Sequence, residues 1–116
     1  MSPASLTELA DELMTKARAA SSGRSASTVH GGHEHVLRQT VLALAAGFAL
    51  GEHDSPGEAT LQVLRGHVRL HAGEEAVEAA EGDFVLIPPV RHDLAAIEDS
   101  VVLLTVVADH VSMPEA

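Results

Sequence analysis

From about residue 35 onward the chain is a series of short apolar runs, broken roughly every ten residues by turn signals; that spacing restricts the fold more than any other feature. The signals are specific: Gly47 and Gly51, then Asp54-Ser55-Pro56-Gly57, Arg65-Gly66, Ala72-Gly73-Glu74-Glu75, Glu81-Gly82-Asp83, Pro88-Pro89 and Glu98-Asp99-Ser100. Between them the pattern predicts strands over 36–44, 59–64, 67–71, 76–80, 84–87, 93–97 and 101–107. Many short strands with turns between them belong to a sandwich or a barrel. The run over 84–87 reads as buried and stopped by the two prolines. The run over 101–107 has no polar side, so it must be covered on both faces. A second subunit or an N-terminal helix would provide that cover, and a homodimer is expected.

The beginning of the chain follows a different period. Leu6, Leu9, Ala10, Leu13, Met14 and Ala17 fall on one helical stripe, with Glu8, Asp11, Glu12 and Lys16 opposite. Ser5 followed by Glu8 has capping-box spacing. A helix of this length is marginal alone, so its stripe must pack against the rest of the domain or a partner. The organisation read from this is a helix over 1–20, a Ser/Gly-rich linker or loop over 21–34, a β-barrel over 35–110 and a tail over 111–116.

Composition removes whole classes of function. The chain has 116 residues with 7 Lys+Arg against 17 Asp+Glu, a formal net charge of −10. That excess repels phosphate backbones and anionic lipid, so neither nucleic acid nor a membrane surface is expected as a partner. There is no Cys, which excludes disulfides, thiolate catalysis and iron–sulfur ligation. With no Trp or Tyr and only two Phe, stacking platforms are essentially missing. The acidic, leaderless first residues and the lack of a long apolar run point to a soluble cytoplasmic protein. No nucleophile elbow and no phosphate-cradling loop before a helix is present.

The residues 47–92 carry a family resemblance. Gly47 is followed by five residues and His53, and Gly66 lies where the first cupin motif ends. Gly82 is followed by five residues and Pro88, and then by His92, as in the second motif. The chain thus resembles the cupins, and the resemblance implies an all-β, double-stranded β-helix (jelly-roll) barrel with one N-terminal α-helix. It also implies metal ligands on strand ends, of which His53 and His92 are retained. Ser55 stands where the family has its second His, Ala59 where it has the metal-binding Glu, and Val90 where the second motif has its glycine.

Two functional readings follow. In one, the protein binds a small molecule in the barrel without catalysis, with Leu61, Val63 and Phe84 lining the pocket and His53 and His92 as polar groups. Arg38 and Gln39, within an apolar strand, and Arg91, beside His92, are further pocket residues, as anion contacts or as partners of strand carboxylates. In the other, it is a metal-dependent cupin enzyme of dioxygenase or isomerase type. That enzyme would use His53 and His92 with further ligands to hold a divalent Zn, Mn, Fe or Ni ion. His30, His33 and His35 could complete such a site if their segment reached the barrel mouth; otherwise they sit in a solvated loop. His67, His71 and His110 are expected on the surface. A filled barrel without a pocket would instead mark a structural or regulatory dimer.

Overall fold

The apolar stripe and the capping box produce the helix they predict. In the computed structural model, which describes residues 1–54 and 57–108, α1 spans Leu6–Ala19, and the Ser5 Oγ accepts the Glu8 N–H at 3.2 Å. Lys16 and Arg18 occupy its last turn, where the helix dipole favours cations.

Eight strands follow among the described residues: β1 (Arg24–His30), β2 (Leu37–Leu44), β3 (Gly57–Arg65), β4 (His67–Ala72), β5 (Glu75–Ala80), β6 (Phe84–Ile87), β7 (His92–Ala96) and β8 (Ser100–Ala108). They form a five-stranded sheet in the order β1-β2-β8-β3-β6 and a three-stranded sheet in the order β5-β4-β7. Every named pairing is antiparallel. This is the jelly-roll barrel that the turn spacing implied.

Alternation decides which side chains fill it. On β3, Ala59, Leu61 and Val63 point inward and are buried, while Glu58 and Gln62 are exposed. Val68 and Leu70 on β4, Leu94 and Ala96 on β7 and Leu42 and Leu44 on β2 complete the same interior. Each fully buried Leu or Val there contributes about 1.5–3 kcal/mol relative to exposure.

β8 shows how a strand with no polar side is accommodated. Val102, Leu104 and Val106 face the barrel interior, and Val101 and Leu103 face outward beneath α1. There Ala10, Leu13, Met14 and Ala17 pack on Val41, Ala43 and Val101. Polar ties secure the helix at the periphery. Arg18 Nε donates to Asp99 Oδ2 at 2.7 Å; Arg65 pairs with Asp11 and donates to the Thr7 carbonyl at 3.2 Å. Such exposed pairs contribute about 1 kcal/mol or less each, so apolar burial is the main hold.

Two readings of the sequence need correction. The segment 21–34 is not a linker throughout: residues 24–30 form the edge strand β1. Val29 packs toward the helix, and Ser25 and Ser27 are small enough to lie beside it. The other concerns 84–87, which was expected to be buried. β6 is an edge strand, and Phe84 and Leu86 are 62% and 71% exposed because their side of the strand lies outside the barrel. The tail over 111–116 and His110 lie outside the described residues.

Candidate functional site

The two motif histidines are brought together by backbone pairing. The segment before β3 runs along the free edge of β7, with Gly47 N to Ala96 O at 2.9 Å and Leu50 N to Leu94 O at 3.0 Å. At its end His53 and His92 exchange both backbone hydrogen bonds, at 2.9 and 3.0 Å. Residues directly opposite in an antiparallel pair project to the same face. The two imidazoles accordingly meet edge to face, with centroids 4.3 Å apart. His92 is 4% exposed and shares the inward face of β7 with Leu94 and Ala96, whereas His53 is exposed at the rim.

Each ring is held by the carbonyl two residues before it. His53 Nδ1 lies 3.1 Å from Gly51 O, and His92 Nδ1 lies 2.8 Å from Val90 O. A carbonyl only accepts, so Nδ1 carries the proton in each neutral ring. Both Nε2 atoms then keep a lone pair. The site therefore offers two adjacent acceptor nitrogens, one at the barrel floor and one at its lip.

The same antiparallel register places Arg91 opposite Asp54. Arg91 donates to Asp54 Oδ1 and Glu52 Oε2, both at 3.3 Å, and Asp93 Oδ1 accepts the Gly51 N–H at 2.8 Å. Three carboxylates surround one guanidinium, so Arg91 is committed to protein acids. The rim repels anions. Sequence reasoning missed Glu52, Asp54 and Asp93 as its builders; their signal was that they flank the two motif histidines.

The remaining site candidates are dispersed. Leu61 and Val63 are each 1% exposed and pack in the interior core, and Phe84 points outward. Arg38 Nε is bound by the carbonyls of Gly32 and His35 at 3.1 and 3.2 Å. Gln39 donates to Thr105 Oγ1 at 3.2 Å. His30 and His35 lie with ring centroids 5.1 Å apart at the end of β1, which β2 and β8 separate from β3. His67 Nε2 lies 2.8 Å from Glu78 Oε1, and Arg69 donates to the other carboxylate oxygen at 3.2 Å. The Arg69 hydrogen bond is the main cause holding the Glu78 carboxyl below its usual range.

The donor set does not suit a resident transition metal. Ala59 is 8% exposed and presents a methyl group to the interior where a carboxylate ligand would be needed. Ser55 lies outside the described residues. Among the described residues no group of three His, Asp or Glu side chains could hold a metal. A catalytic site with an open position normally uses three protein ligands.

Space within the barrel is small. A cleft of about 140 Å³ lies at the seam between β5 and β6, lined in part by Leu70, Ala72, Val85 and Pro88. Ala72 is the register partner of His92, so this cleft opens beside the buried imidazole. A larger groove of about 840 Å³ includes Glu58, Thr60, Leu86, Thr105 and Val107. Those five alternate with the core residues of their strands, so it lies on the outer face of the five-stranded sheet.

The family model described as Cupin domain matches residues 40–108. The chain belongs to the cupin family. A conserved protein of unknown function from Streptococcus pyogenes is 31% identical, with a TM-score of 0.69 over 84% of this cupin and 80% of its own chain. A cupin superfamily protein from Desulfitobacterium hafniense is 14% identical, with a TM-score of 0.68 over 74% of this cupin and 78% of its own chain. Salicylate 1,2-dioxygenase from Pseudaminobacter salicylatoxidans is 19% identical, with a TM-score of 0.72; the alignment covers 86% of this cupin but only 33% of the dioxygenase. At that identity the likeness is one of fold. None of the curated proteins matches this cupin. No helix among its described residues is long and apolar enough to cross a membrane.

Proposed function

We propose that this cupin binds a small, donor-bearing molecule at the barrel mouth, without a resident metal and without catalysis. The observation that carries the reading is the pair of bare Nε2 atoms left when both Nδ1–H groups bond backbone carbonyls. Two acceptors side by side suit a ligand with two hydroxyl, amide or ammonium donors. The acidic rim disfavours carboxylates and phosphates. The adjoining cleft of about 140 Å³ has room for roughly five water-sized groups at about 30 Å³ each, which limits the buried part of the ligand.

The competing reading is metal-dependent cupin chemistry. It draws support from the same Nδ1–H contacts, since metal-bound imidazoles are commonly oriented in this way. It lacks a third described ligand. One experiment separates the two: elemental analysis of untagged protein, then calorimetric titration with Zn, Mn, Ni and Fe salts and with a panel of small polyols, amides and amines. The proposal expects substoichiometric metal and a donor-bearing ligand whose binding is lost in His92→Ala and weakened in His53→Ala. Near-stoichiometric transition metal that disappears in His53→Ala would overturn it in favour of the enzyme.

A further inference from the structure

The outer face of the five-stranded sheet is half covered. α1 lies over Val41, Ala43, Val101 and Leu103 and leaves the other end of the same face open. The open part contains Leu37, Phe84, Leu86 and Val107, which are 40%, 62%, 71% and 40% exposed. Between them lie the uncharged polar residues Gln39, Thr60, Gln62 and Thr105. The register fixes their arrangement in rows: Leu37–Val107–Glu58, then Gln39–Thr105–Thr60–Leu86, then Gln62–Phe84. The groove of about 840 Å³ runs through these rows, with Pro88 and Pro89 along its border.

Charge decides the occupant. The chain carries 24 charged residues in 116 and a formal net charge of −10, yet the outward positions of these rows include one charge, Glu58, in the end row. Any two copies repel one another, and this neutral face is where that repulsion is least concentrated. A two-fold interface places the same surface on both sides, so it must be self-complementary. Thr and Gln each both donate and accept hydrogen bonds, and they satisfy that condition where a single-sign charge would not.

We infer that this face is the interface for a second copy of the chain, with Thr60 and Leu86 in the middle row and Glu58 toward the rim. The contact thus lies beside the helix-covered part of β8, and α1 itself is not the partner's surface. Four strands about 4.8 Å apart and three rows about 6.8 Å apart give a face of roughly 20 Å by 20 Å. With projecting side chains and the proline border, the accessible area comes near the lower end for specific dimers, about 600 Å² per copy. A dissociation constant of about 1–10 µM is the expected scale for such a contact.

The test is sedimentation equilibrium of the full chain over about 1–200 µM, a range that brackets the expected constant. The proposal expects a reversible 12.1 kDa monomer–dimer equilibrium. Leu86→Glu, at an exposed position that leaves the core intact, should weaken it about 100-fold through desolvated like charges. Gln62→Lys provides a second exposed disruption, and Ala76→Glu on the other sheet should have no effect. Because the chain has no cysteine, Thr60→Cys or Leu86→Cys should form an intermolecular disulfide under mild oxidation, and Ala76→Cys should not. A monomer throughout the range overturns the proposal. So does a dimer that neither variant weakens and neither cysteine cross-links.

Discussion

Gly66 joins β3 to β4 with φ +86°, and a Cβ built there would lie 2.3 Å from the Asp99 carbonyl oxygen and 2.4 Å from Ser100 Oγ. Those neighbours cannot easily yield. Ser100 is 1% exposed, and its Oγ accepts the His67 N–H at 2.9 Å while donating to the Glu98 carbonyl at 2.7 Å. Gly66→Ala therefore adds two costs. The left-handed backbone costs an L-residue about 1–2 kcal/mol, and displacing the Ser100 network adds about 1–3 kcal/mol for disturbed buried hydrogen bonds. Gly73 is the control: its φ is +63°, and no atom lies within 4 Å of its built Cβ. Gly73→Ala should show only the backbone cost, about 1–2 kcal/mol. Urea denaturation with constant m-values measures both. The difference between the two variants isolates the contact at Asp99 and Ser100, and it should be at least about 1 kcal/mol. Equal losses in the two proteins would refute the argument that Gly66 is required by close packing.

Three further outcomes are expected. Leu13→Ala, at a position 3% exposed on the buried side of α1, should cost about 2–4 kcal/mol in thermal or urea unfolding, whereas Arg65→Ala, which removes an exposed pair, should cost about 1 kcal/mol or less. Asp99 is held below the ordinary aspartate range first by the Ala46 N–H and then by Arg18. Its contribution is therefore complete at neutral pH and is lost as pH falls through the lowered folded value; Asp99→Asn should flatten the acid limb of a stability–pH curve and leave the neutral-to-alkaline limb unchanged in shape. Leu61→Ala, in the interior core, should cost about 2–5 kcal/mol by the same assay, and a loss below 1 kcal/mol would contradict a filled barrel at that level.

Features that depend on local chemistry were legible in the sequence. Ser5, Glu8 and the stripe through Ala17 defined α1, and the glycine and proline turns defined the strand order well enough to imply a jelly roll. The spacing around Gly47, Gly66 and Gly82 placed His53 and His92 in one family pattern, and the β7 bridge brings them together. Features that depend on which sheet edge or face a residue occupies were not legible. Phe84 and Leu86 look like core in a four-residue apolar run, but an edge strand places one side of that run outside the barrel. Residues 24–30 look like a linker because Ser and Ala give no period-two apolar signal, yet small side chains suit a strand beneath a helix. Arg91 looked like a free cationic handle, and only the antiparallel register shows that Asp54 and Glu52 occupy it.

The central claim is that His53 and His92 meet at the barrel mouth with Nδ1 protonated and Nε2 bare. Long-range ¹⁵N–¹H correlation of the histidine rings, recorded at a pH where both imidazoles are neutral, tests it directly. The account predicts that both rings are Nδ1–H tautomers with a nuclear Overhauser contact between them. Nε2–H tautomers in both rings, or the absence of any contact between the two, would contradict it.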